Sequence, residues 1–324
     1  MTRVYITIDT EYSAGMAKRL GPGCRAENFR RSIACETPSG SVGVPYQMDV
    51  FDDHGLKAVF FVDPMPALIW GVEAISDVVA PIVERGHDVQ LHLHTEWLEL
   101  AGDSNPLGNR TGLNLRDFSF DEQCGLIEWA RDTLVAAGAP APTAFRAGNY
   151  GADDDTLLAL GELGLTHDTS HCPGIAGSHC AISLGPEDRE PVEHRGVVEV
   201  PVGCIAGFGD RLRHAQVTAL SAAETLAAIG HARDCGAGSF TLVSHSFELL
   251  SRDRAQVNQV VRRRFAKLCA GLAAMPGVRT ATYADDAPRP APGRATTHLL
   301  PCSPLRTGMR YAEQAVSNAL YGAG

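Results

Sequence analysis

The sequence predicts an α/β protein, a distorted (β/α) barrel of about seven parallel strands with its active site at the C-terminal ends of those strands. Three observations predict it. Short runs rich in β-branched and aromatic residues recur along residues 4–283. Between many of them, apolar residues fall three and four apart, the period of a helix buried on one face. Most of the runs also end on an ionisable side chain, and a parallel barrel brings such ends to one mouth. Strands alternating with helices imply parallel pairing, although an open doubly wound sheet fits the alternation too and places its site at the same ends.

In order, the strand-like runs are "VYITI" (4–8), "LKAVFFV" (56–62), "HDVQLHL" (87–93), "APTAFRA" (141–147), "LTHDTS" (165–170), "VVEVPV" (197–202), "SFTLVSH" (239–245) and "GVRTATY" (277–283). Helical patterns cover 72–85, 121–137, 153–163, 221–235 and 253–274, several opening on a Ser or Asp able to cap. Residues 12–43 and 98–120 read as long irregular stretches, and such loops in compact domains usually carry function. The barrel is expected over 1–284, a Pro-rich linker over 285–308, and a short C-terminal helix over 309–324 that docks back on the barrel.

Composition bounds the function. The chain has 324 residues, 44% hydrophobic and 20% charged, as in an ordinary soluble globular protein. A net charge of -10 argues against a nucleic-acid partner. Lys and Arg number 17 against 34 acids in residues 1–250, but 11 against 4 in 251–324, so the C-terminal stretch is basic and a peripheral membrane contact through "RRRFAK" (262–267) stays open. No apolar run is long enough for a membrane span and no signal-peptide pattern opens the chain, so a cytoplasmic location is expected. Nine scattered Cys without a C-x-x-C pair read as reduced thiols.

The chemistry concentrates at the strand ends. Asp9 and Glu11 stand two apart, so in an extended chain both face one way. In "LHLHTEW" (91–97), His92 and His94 share a strand face opposite Leu91 and Leu93, an arrangement able to chelate a borderline metal such as zinc. Glu96, four residues after His92, is an alternative ligand if the chain turns there. Arg146 in "AFRAGNYG" needs an anionic partner if it points inward, and the turn after it could offer backbone N–H groups to a developing oxyanion. Asp168 is placed to orient a neighbouring imidazole, and His245 at the end of "LVSH" suits proton transfer near neutral pH. Glu248 reads as part of the loop that follows.

Five motifs in order, "TIDTE", "RGHDVQLHLHTEW", "FRAGNYG", "THDTSHCPG" and "LVSHSFE", resemble those of the polysaccharide deacetylase family, the carbohydrate esterases with homology to chitooligosaccharide deacetylases, over roughly residues 1–283. The resemblance implies that Asp9 is a catalytic base held ionised by Arg146, and that Glu11 and His92 bind a divalent metal. It also implies that Asp168 orients His245, the general acid. Three features depart from the family's pattern. The acids are Asp-Thr-Glu where two adjacent Asp are usual. Glu96 occupies the place of the second metal His, leaving His94 or Glu96 as the third ligand. Pro does not follow Arg146, which leaves the oxyanion donor between Asn149 and Tyr150.

The expected activity is metal-dependent removal of an N-acyl, most simply acetyl, group from an amino sugar in a glycan or glycan precursor of glycan biosynthesis, with zinc, or cobalt or nickel, as the ion. Two other readings stand beside it: a metal-independent or non-sugar amidohydrolase acting on a small cyclic amide or ureide, and a noncatalytic glycan-binding homologue.

Overall fold

The structure, a computed structural model, describes residues 1–209, 211–291 and 299–322. Its main sheet has nine strands: β1 (Thr2–Thr10), β2 (Val59–Val62), β3 (Asp88–Leu93), β4 (Ala144–Ala147), β5 (His167–Asp168), β6 (Val192–His194), β7 (Val197–Glu199), β8 (Ser239–His245) and β9 (Val278–Thr280). The order is β8-β1-β2-β3-β4-β5-β7-β6, with β9 pairing the start of β1. Every pairing is parallel except β6 with β7. Each strand-like run of the sequence thus contains a strand. Within this sheet only β6 was not expected, and its pairing turns the sheet edge back on itself.

The sheet curls into a half-barrel. Irregular chain bridges the open side against β8: Gly203 N donates to Thr241 O (3.0 Å), Val243 N to Ala215 O (2.9 Å) and Val217 N to Val243 O (3.2 Å). Strand alternation explains why β1 is buried along almost its whole length. Val4, Ile6 and Ile8 pack under the helices, while Tyr5 joins Val59, Phe61, Ala144, Val200, Ala281 and Tyr283 in a separate inner cluster. Thr7 and Asp9 continue that inner row toward the mouth.

The longer helices are α1 (Val44–Asp53), α2 (Val72–Glu84), α3 (Phe120–Ala136), α4 (Asp154–Glu162), α5 (Ala222–Asp234), α6 (Gln259–Ala273) and α7 (Pro304–Tyr321). Capping boxes at Ser119, Asp153 and Ser221 start α3, α4 and α5, each within a residue or so of the expected start. α6 begins later than expected because Asn258 caps it, accepting from Val260 N and Val261 N at 3.2 Å. The stretch 12–43 is more regular than its composition suggests. Ser13 caps Ala14–Leu20, and helical turns run on to Ile33. All nine Cys are free thiols, and no helix among the described residues is long and apolar enough to cross a membrane.

Residues 292–298 of the expected linker lie outside the described residues. The C-terminal helix α7 starts at Pro304, capped by Ser303, rather than at 309, since Pro suits the first helical turn. It docks by its polar face. Arg310 Nε lies 3.0 Å from Glu224 of α5, Arg264 Nη2 lies 2.9 Å from Glu313, and Asn258 Nδ2 donates to Ser317 Oγ (2.9 Å). Leu305, Met309, Val316 and Leu320 face outward, each more than half exposed.

Arg310 and Glu224 are both buried, so Arg310→Ala strands a carboxylate. We expect a loss of about 3 kcal/mol in urea unfolding, from the cost of breaking a buried pair. A loss below 0.5 kcal/mol would show the pair to be dispensable.

His87, just before β3, supplies a pH signature. Its side chain is buried against Phe51 and Phe60, with Nδ1 accepting from Ala58 N (3.3 Å). Burial pushes its pKa from 6.5 to about 4, with Asp52 pulling the other way. The unfolded chain therefore binds more protons between these values, and stability should fall as pH drops from about 6.5 to about 4. Unfolding titrations of wild type and His87→Gln should diverge in that window. Parallel curves would contradict the assignment.

Candidate active site

The mouth is built on parallel register. Asp9 pairs with Phe61 on one side and His245 on the other, and His92 pairs with Arg146. Because alternate residues share a face, the inward rows of β1, β3, β4 and β8 converge above the inner apolar cluster.

Arg146 is fully buried at the floor of the mouth. Its Nη1 donates to Asp9 Oδ1 (2.6 Å) and Thr7 Oγ1 (2.9 Å), its Nε to Thr169 O (3.2 Å) and its Nη2 to Thr169 Oγ1 (3.3 Å). The guanidinium carbon lies 4.5 Å from the centre of the Phe61 ring. Burial would raise the Asp9 pKa, but Arg146, then His92 and His245, outweigh it and hold the carboxyl below its usual range. Asp9 is therefore a carboxylate with its second oxygen turned to the mouth, 3.8 Å from His245 Nε2.

Glu11, His92 and His94 form a cluster whose candidate ligand atoms all lie within 4.8 Å of one another. Glu11 Oε2 is 2.6 Å from His94 Nε2 and 3.5 Å from His92 Nε2. Both imidazoles use their other nitrogen elsewhere: His92 Nδ1 meets Arg146 O at 2.7 Å, and His94 Nδ1 meets Glu96 Oε2 at 2.7 Å. Each acceptor draws the ring proton to Nδ1 and turns an Nε2 lone pair toward Glu11, the arrangement of metal-binding histidines with outer partners. Glu96 thus sits behind His94 rather than in its place. Glu11 Oε2 is buried and has no aligned hydrogen-bond donor, so these three residues fit a cation. Without an ion the same contact is a charge pair: burial disfavours charge on both, yet His94 pulls the Glu11 pKa well down and Glu11 pushes that of His94 well up, so a cation would take the place of a proton on His94 Nε2.

Two expected partners are not together. Asp168 accepts from Ser170 N and Ser170 Oγ at 2.9 Å and stands in register with Glu199. Burial raises the pKa of both acids, and the neighbouring Asp168 drives Glu199 further up. The expectation that Asp168 orients His245 is corrected here, since Asp168 stands in register with Phe145, which packs with the helices, whereas Asp9 of the inner row stands in register with His245. His245 Nδ1 instead lies 3.5 Å from Gln216 Nε2, which also donates to Glu248 Oε1 (2.6 Å). A carboxylate only accepts, so this contact fixes the Gln216 amide with its N–H groups toward the imidazole and leaves Nε2 as the proton-bearing atom facing Asp9. Glu248 is no idle loop residue: it also accepts from Ser244 Oγ (2.6 Å), from His245 N (3.2 Å) and from Thr218 Oγ1.

After β4 the chain turns sharply. Asn149 and Tyr150 both adopt left-handed backbone, φ 56° and 57°, strained for non-glycine residues and placed at the mouth. The sequence reading missed Asp63 at the end of β2. It is buried, its Oδ1 accepts from Met65 N (3.1 Å) and His94 N (3.4 Å), and burial, against the pull of His94 and His92, pushes its pKa up to about 6. The one signal for it was an acid ending the apolar run "VFFVD".

Gly148 lets this packing happen. A Cβ there would meet His94 Cγ and Nδ1 at 2.7 Å and Leu93 O at 2.8 Å. Gly148→Ala should displace the His94 ring and weaken zinc binding about 10- to 100-fold by calorimetry, the range for disturbed outer partners of a metal ligand. Unchanged affinity would separate His94 from the metal.

No protein-family model and no curated protein matches the sequence. Solved structures do. A "putative polysaccharide deacetylase" from Mycobacterium smegmatis superposes with a TM-score of 0.56 at 18% identity, covering 87% of each chain. A 4-alpha-glucanotransferase from Thermococcus litoralis has a TM-score of 0.51 at 12% identity, covering 90% of this chain and 41% of its own. One architecture therefore carries more than one named activity, and the site must decide the chemistry. The half-barrel, with its mouth at the strand C-terminal ends, is a fold this chain shares with the Mycobacterium smegmatis protein.

Proposed function

We propose that the protein is a divalent-metal hydrolase that removes an N-acyl, most simply acetyl, group from an amino sugar. The observation that carries this is the convergence of Glu11, His92 and His94, with a buried carboxylate oxygen that no aligned donor satisfies, beside an Asp9 carboxylate held by Arg146. The half-barrel it shares with a deacetylase supports the reading. Zinc suits one carboxylate and two imidazoles, with cobalt or nickel as substitutes. When bound, such an ion polarises a carbonyl and lowers the pKa of water.

The chain's own groups have separate tasks. Asp9 accepts the proton of the attacking water through its mouth-facing oxygen, while Arg146 keeps it ionised. The backbone N–H groups of Asn149 and Tyr150 are assigned to the carbonyl oxygen as it gains charge. His245, steadied by Gln216, gives a proton from Nε2 to the departing amine, which otherwise leaves poorly. The substrate is proposed to be a cytoplasmic sugar-linked precursor. Nine unpaired thiols support a reducing compartment.

Purified protein loaded with zinc, cobalt or nickel should release acetate from a panel of N-acetylated sugars. A chelator should abolish the release, and Asp9→Asn should lower kcat at least about 100-fold. No acetate from any sugar with any of the three ions would overturn the proposal.

A further inference from the structure

We propose that Arg254 forms a subsite for an anionic group, a carboxylate or a phosphate, carried by the ligand of this mouth; only the reaction assigned to that ligand rests on the deacetylase reading. The residue belongs to a closed loop after β8. Ser251 N donates to Gln256 O (2.8 Å), Gln256 N to Ser251 Oγ (3.0 Å) and Arg254 N to Ser251 O (2.8 Å). Asp253, the neighbouring acid, is occupied within the loop, accepting from Ser251 Oγ (2.6 Å) and Ala255 N (3.0 Å). These bonds hold Arg254 at φ 57°, a left-handed backbone that costs a non-glycine residue about 1 kcal/mol or more. Glycine would sit there without strain, and an arginine does instead.

Its side chain points along the mouth. The guanidinium carbon lies 3.8 Å from the centre of the Phe247 ring, that ring lies 5.2 Å from the His245 ring, and His245 Nε2 lies 3.8 Å from Asp9 Oδ2. A row of contacts thus runs from the guanidinium to the proposed base. Arg146, Arg264 and Arg310, the buried arginines, each face a carboxylate within 3.0 Å. Arg254 is half-buried, yet among the described residues no carboxylate lies within ion-pair distance and its side chain makes no hydrogen bond. Burial lowers its pKa, with Cys35 and Glu11 pulling back only in part. A guanidinium stacked on one face keeps its N–H edge free, and that edge matches the paired oxygens of a carboxylate or phosphate. A neutral hydroxyl would use less of it.

The test compares acetate release by the zinc-loaded protein from N-acetylglucosamine, its 6-phosphate and the corresponding 2-acetamido uronic acid. Wild type should prefer one anionic sugar about tenfold or more in kcat/KM, and Arg254→Gln should remove most of that preference through KM. The 6-phosphate and the uronic acid separate the two sources of charge. Arg254→Gly, which relieves the backbone, should stay folded by circular dichroism and lose the same preference. A parallel calorimetric titration uses glucuronate and glucose 6-phosphate against glucose, in wild type and Arg254→Gln. Arg254-dependent anion binding without acetate release from any sugar would keep the subsite and sink the reaction. Equal use of neutral and anionic sugars, with variants matching wild type, would sink the subsite and leave the reaction standing.

Discussion

A guanidinium with no exposed surface lies at the floor of the mouth, and the rest of the site is arranged around its demand for acceptors. Arg146 donates to Asp9, to Thr7 and twice to Thr169, and it stacks on Phe61. Taking a charge out of water costs several kcal/mol, and an excellent set of partners is needed to offset it. β1 and β4 are therefore tied together across the strands between them. The same tie keeps Asp9 ionised although it is buried, because protonating it would leave Arg146 unpaired.

The backbone of that residue serves the neighbouring strand. Arg146 O receives His92 Nδ1, which turns Nε2 of His92 toward Glu11. Glu96 does the same for His94 from the opposite side. The proposed base and the candidate cation cluster are thereby coupled through one residue: Arg146 fixes Asp9 by its side chain and His92 by its carbonyl. Water activation and charge stabilisation need such a fixed relation, since misplacement by an ångström can forfeit much of the rate. The spacing in "DTE" fits this division. Asp9 still lies within β1, while Glu11 follows the strand's end and faces the two imidazoles.

Much of this was legible because strand chemistry has period two. "LHLH" states which residues share a face, and "VYITIDTE" states that Asp9 belongs to the inner row. Capping residues marked α3, α4 and α5 for the same local reason. Other features depend on contacts distant in sequence. Nothing local says that Asp168 meets Glu199 across β5 and β7, or that Gln216 reaches His245 from the segment closing the half-barrel. Periodicity likewise found α7 but not its orientation. An apolar stripe is expected inward, whereas ion pairs, the one between Arg310 and Glu224 buried, hold the polar face of α7 against the body and leave Leu305 and Met309 outside. Asp63 was hidden because an acid before Pro reads as a turn.

The proposed cation site lies between Glu11, His92 and His94, with Glu96 behind His94. It is tested most directly by an anomalous difference map from a zinc-soaked crystal, collected either side of the zinc edge. A single strong peak is expected in contact with Glu11 Oε2 and the Nε2 atoms of both histidines. A peak bound by Glu96 in place of His94, or no peak at the mouth at saturating zinc, would contradict it.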